Sequence, residues 1–150
     1  MKNLLEKDGF EDITNRVFHL QPEQQAQWGK MNVAQMMAHL QKTFEVPLSE
    51  KPMPRMMIGR LIGWMIKPKL YNETPWKPNL PTAPNFIINE ERDFATEKLG
   101  LLNLIEEFHT AGPEKIGRYP HPMFGNITKD QWGKAMYKHA DHHLQQFGVN

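Results

Sequence analysis

Apolar residues recur every three or four positions along most of this chain, and nowhere do they alternate as a half-buried strand would require. From Gly9 to Leu20 the residues Phe10, Ile13, Val17 and Leu20 predict a first helix, which Gln21-Pro22 ends. Asn32 offers an N-cap to a second, running to Val46 before Pro47, with Val33, Met36, Met37, Leu40 and Phe44 as its apolar stripe. A third spans about Asn89 to Ala111, with Gly112-Pro113 as its stop. A last helix starts behind Thr128 and runs to Phe147, where Gly148 stops it.

Between the second and third of these lies a different kind of sequence. Eight of the twelve prolines fall between Pro47 and Pro84, so the segment cannot be one regular element. Within it Met56–Ile66 predicts a short helix, read as buried, with a membrane-surface role as the alternative. Lys67–Pro84 reads as an ordered excursion anchored by Tyr71, Trp76 and Leu80, since a flexible linker would lack such residues. Four principal helices and one proline-rich crossover predict an all-α fold, a four-helix bundle in a single domain over residues 1–150.

Composition narrows the function classes. Eighteen Lys and Arg against 17 Asp and Glu give no basic excess, which argues against nucleic acid as a partner. Without cysteine, disulfides, thiolate ligands and a cysteine nucleophile are excluded, so any metal must be held by nitrogen and oxygen. The N-terminus MKNLLEKDGF lacks the apolar run of a signal peptide, and Met56–Ile66 is too short to span a bilayer; the expectation is a cytoplasmic chain with no membrane partner. Ser49, the single serine, lacks nucleophile-elbow glycines, and no phosphate-cradling glycine loop is present.

The candidate chemistry is in histidine. Of seven histidines, three fall in the last helix, at His139, His142 and His143. His139 and His143 are one helical turn apart on one face and can share a metal ion, though hydrogen bonds to carboxylates or backbone would satisfy them equally. Trp132, Met136, Ala140 and Phe147 mark the buried side of that helix, and His139, His143 and Gln146 fall within roughly 60° of one another on it or at its edge. His142 lies on the flank. A third ligand must come from elsewhere, and His39 is the best candidate. It sits roughly 120° from the centre of its helix's apolar stripe, however, which reads as a partly exposed histidine beside the core. His121, between two prolines, reads as a turn residue or as the lining of a pocket mouth. His19 and His109 read as capping or surface residues, and Trp28 and Trp132 as packing. Without the glutamate of the zinc-protease motif between His139 and His143, peptide hydrolysis is disfavoured.

Three stretches together, Trp28–Leu40, His121–Gly125, and Thr128–Trp132 through Gln146-Phe147-Gly148, resemble the DinB/YfiT-like superfamily of metal-dependent enzymes. That resemblance implies a four-helix bundle with a divalent metal, zinc or nickel, on His39, His139 and His143. Gln146 matches the glutamine that often follows the pair in that superfamily, while His142 leaves the ligand choice open between the i, i+4 pair and a pairing at i+3. His121, His142 and Gln146 are the candidate pocket residues. It also implies a small-molecule substrate, a low-molecular-weight thiol, in a metal-assisted S-transfer, and a homodimer as a candidate assembly. The alternative is a non-catalytic helical module, binding a small ligand or acting as a stress-associated dimer, in which the histidines are structural.

Overall fold

The second helix shows how the sequence builds this protein. Asn32 accepts from the Gln35 backbone N–H while the Gln35 side chain accepts from the Asn32 N–H, a capping box that fixes where the helix begins. The helix, α2 (Val33–Leu48), follows α1 (Lys7–Phe18) and precedes α3 (Met57–Ile66), α4 (Phe94–Thr110) and α5 (Lys129–Gln146). These five α-helices, with short 3₁₀ turns at Lys67–Leu70 and Pro84–Phe86, come from a computed structural model that describes residues 1–112 and 114–150; no strand occurs among the described residues.

The all-helical expectation holds: the described residues form five α-helices, and the expected four-helix bundle is not confirmed. α1, α2, α4 and α5 surround one core, filled by Ile13, Val17, Met36, Met37, Leu40, Phe44, Leu101, Ile105, Phe108 and Leu144, all fully buried. Phe44 and Phe108 meet edge to face across α2 and α4 at 5.7 Å. Buried Arg16 ties α1 to α5 and the C-terminal segment, donating to Asp141 and to the Val149 carbonyl, each at 2.7 Å.

Several boundaries move. α2 continues through Pro47 to Leu48 instead of stopping at Val46. Pro47 is buried, and its carbonyl is paired outside the helix, accepting from the Gly117 N–H at 2.8 Å. α4 begins at Phe94 rather than near Asn89, because the Asp93 side chain accepts from both the backbone N–H and the hydroxyl of Thr96. Of the expected Gly112-Pro113 stop, Pro113 lies outside the described residues. Thr128 caps α5 as expected, in a second capping box with Gln131, and Gly148 adopts φ +73° just past its end.

The largest departure is α3. Expected as a buried helix, it turns its bulky residues outward: Met57, Leu61 and Trp64 are each more than 70% exposed. The reason is its pair of buried glycines. A Cβ at Gly59 or Gly63 would come within 2.4 Å of the Met123 carbonyl oxygen, so the helix docks on that loop through bare backbone. The apolar stripe opposite the glycines is left without a partner. Of the expected crossover anchors Leu80 is also exposed, whereas Tyr71 and Trp76 are half-buried.

Candidate metal centre

α2 and α5 pack against each other, and the crossover packs on both, its turn at Pro84–Phe86 against α2 and its turn at Lys67–Leu70 against α5. His39 faces the seam between α2 and α5. Although off its helix's central stripe, it is 3% exposed, which corrects the expectation of a partly exposed residue. The flank of α2 is covered by α5 on one side and by the crossover on the other, and a wheel drawn for one helix contains neither.

His39, His139 and His143 converge. The Nε2 of His139 is 3.2 Å from the Nε2 of His39 and 3.2 Å from that of His143, and ligand atoms of all three rings lie within 4.8 Å of one another. The far nitrogens are committed elsewhere. His39 Nδ1 donates to the Phe86 carbonyl at 2.7 Å. His143 Nδ1 donates to Gln146 Oε1 at 2.8 Å, an orientation set because Gln146 Nε2 itself donates to the Trp28 carbonyl at 2.6 Å. With the proton on Nδ1, each ring directs an Nε2 lone pair into the cluster.

Burial acts in the same direction. Desolvation holds the His143 imidazole down to about 3, and the neighbouring His39 ring pushes it the same way, against the hydrogen bond to Gln146. His39 is lowered chiefly by burial, against its bond to Phe86. His139 is pushed well below the ordinary histidine range by burial and by the neighbouring imidazoles. All three rings are neutral at neutral pH, the form in which imidazole binds a metal.

A second ring of residues surrounds the cluster. Trp76 packs on His139 and His142, with centroids 5.3 and 5.7 Å away, and Trp28 lies 5.6 Å from His142. His142 therefore stands beside the cluster, between two indoles. Trp76 is held by Lys138, whose ammonium donates to the Lys69 and Asn72 carbonyls and to Asn72 Oδ1 at 2.7–2.8 Å, and lies 5.6 Å from the indole centroid. Lys138→Met should therefore loosen the crossover by roughly 2 kcal/mol. Faster amide exchange over residues 67–76, with α2 and α5 unchanged, would be the sign.

His121 is not near these rings. It pairs with Gly125 through the backbone, its Nδ1 accepts from the Met123 and Phe124 N–H groups at 3.0 and 3.3 Å, and its ring lies 5.6 Å from Trp132. A cleft of about 390 Å³ beside Lys138, Asn72 and Tyr137 includes none of the three clustered histidines. His19 is exposed and bonded to the Asn15 carbonyl, and His109 stacks on Phe10 and bonds to the Leu4 carbonyl.

Sequence reasoning named Gln146 beside the pair, and its bond to His143 gives it a role. It missed the Phe86 carbonyl and Lys138. A backbone carbonyl leaves no trace in side-chain spacing, and a lysine in a helix reads as surface until its partners are known.

A family model described as "Protein of unknown function (DUF1569)" matches residues 2–150. No curated protein and no solved structure matches the chain. The family match overturns the resemblance to the DinB/YfiT-like superfamily, which rested on three separated stretches rather than on the whole chain. Low-molecular-weight thiol transfer, which came only with that resemblance, goes with it.

Proposed function

We propose, for a chain that belongs to the DUF1569 family of unknown function, that His39, His139 and His143 form a divalent-metal centre serving a small-molecule reaction. The carrying observation is the pair of 3.2 Å Nε2 contacts around His139, joined to the two Nδ1 atoms already committed to acceptors. Two nitrogens bound tetrahedrally at 2.0–2.1 Å from one zinc ion stand roughly 3.3 Å apart, close to the separations found here.

A purely structural role fits less well. If the cluster were a hydrogen-bonded trio, His139 Nε2 would bring one proton to two lone pairs. One 3.2 Å contact would then hold two acceptors face to face in a buried site, which is costly. A shared cation satisfies all three. The all-imidazole donor set suits zinc or nickel and not magnesium or calcium, which favour oxygen.

Three protein ligands leave a position for water or substrate, as in catalytic zinc sites. When bound, the ion supplies Lewis acidity, lowering the pKa of a ligated water or polarising a substrate oxygen. The chain's own residues do the rest. The Phe86 carbonyl and Gln146 orient two ligands, and Trp76 packs against His139.

Elemental analysis of protein purified without a histidine tag and titrated with zinc should give one ion per chain, and substoichiometric zinc would reject the site. Gln146→Leu should keep the fold but weaken zinc binding by about 10- to 100-fold, the usual loss when a ligand histidine's supporting hydrogen bond is removed. Competition with a chromophoric chelator measures it.

A further inference from the structure

The outward face of α3 is the largest feature the histidine site does not use. Met57, Ile58, Leu61, Trp64 and Met65 are 50–74% exposed, on a helix whose glycine side is already docked. At roughly 100° per residue they form one stripe opposite Gly59 and Gly63. The Trp64 indole N–H is already paired, to the Leu61 carbonyl.

Charge identifies what covers this stripe. Between Glu50 and Glu73 the sequence has five basic residues, Lys51, Arg55, Arg60, Lys67 and Lys69, and no acidic one. None of the five is in an ion pair among the described residues. Two precede the helix, two follow it, and Arg60 lies on its flank, roughly 100° from the centre of the stripe. Lys67 also donates to the Asn126 carbonyl and the Arg55 guanidinium lies against Gly125, while Lys51, Arg60 and Lys69 are exposed. An apolar face in a segment whose charges are all cationic is complementary to an anionic bilayer surface, whose headgroups meet the cations while the acyl boundary takes the side chains. Pairing two copies through the same face would instead bring two uncompensated basic segments together.

We propose that α3 is an interfacial anchor that lies flat on anionic phospholipid membranes. Ten residues make about 15 Å of helix, half the thickness of a bilayer core, so the segment rests on the surface. No described helix is long and apolar enough to cross a membrane. Docking through the glycines fixes the helix to the Met123 loop and thereby orients the rest of the protein against the bilayer. A buried helix was the leading expectation for this segment and a membrane-surface role the alternative; its exposure supports the alternative, independently of the histidine site.

Co-sedimentation of the full chain with phosphatidylcholine vesicles, with and without phosphatidylglycerol, tests the proposal. Binding is expected only to the anionic vesicles and should weaken as salt rises. Arg55→Gln/Arg60→Gln should weaken it about fivefold for each charge removed. Leu61→Ser/Trp64→Ser should weaken it at least about tenfold. These side chains are exposed, so unchanged circular dichroism is expected in both variants. No binding by the wild type to anionic vesicles would overturn the proposal. So would equal binding by the serine variant, or a lipid-free wild-type dimer that the serine variant converts to monomer.

Discussion

His139→Ala should abolish high-affinity zinc binding while leaving a folded helical protein. Of the three rings, His139 alone touches both others through Nε2, so its removal deletes the central member of the cluster. The loss should exceed about 100-fold, the upper end of what removing a mere supporting hydrogen bond costs. Stability gives a second readout. A ligand at 100 times its Kd raises the stability of the folded state by about 2.7 kcal/mol, which for a chain of this size is roughly 10 °C in Tm. Wild type should show that rise with zinc and lose it to a chelator; His139→Ala should melt at one temperature under all three conditions. Scanning calorimetry of untagged protein makes the comparison. A shift of equal size in the variant would place the zinc elsewhere.

Acid should unfold the metal-free protein well before it protonates most carboxylates. His121 is the clearest contributor. Burial, assisted by the nearby Arg55 charge, lowers its pKa to about 4 from an ordinary value of 6.5. The folded chain then binds fewer protons than the unfolded one between those values. Stability is therefore complete above pH 6.5 and is lost as pH falls toward 4, by about 3 kcal/mol from His121 alone. His39, His139 and His143 are lowered by burial too and add in the same direction. Since a domain's total stability is about 5–15 kcal/mol, unfolding monitored by circular dichroism should begin near pH 6 and be far advanced by pH 4. Zinc should move the midpoint to lower pH, because protons and metal compete for the same nitrogens. A flat profile down to pH 4 would show that these rings are more open to water than their burial indicates.

Much of this architecture was legible in the sequence, because the signals used were local. Asn32 and Thr128 each cap the helices they were expected to cap, and the His139/His143 pair follows from helical geometry alone. What failed depended on packing. Met56–Ile66 is apolar enough to look buried, but Gly59 and Gly63 decide which side docks, and glycines are silent in an apolar pattern. His39 sits off its stripe, and only the crossover carbonyl of Phe86 and the adjacent α5 make that flank interior. The family resemblance failed for a different reason: short histidine-containing stretches on helices are compatible with more than one family.

The site's partners also explain the placement of the crossover. Its proline-rich sequence, poor in regular structure, brings a carbonyl to His39 and an indole to His139, and Lys138 fastens it from the residue next to that ligand. Metal affinity and crossover stability should therefore change together in Lys138→Met.

The most direct measurement is the zinc K-edge X-ray absorption spectrum of untagged protein loaded with one equivalent of zinc. Three imidazole nitrogens at 2.0–2.1 Å are expected, falling to fewer in His39→Ala. A spectrum of aquated or oxygen-ligated zinc, unchanged by His39→Ala, would contradict it.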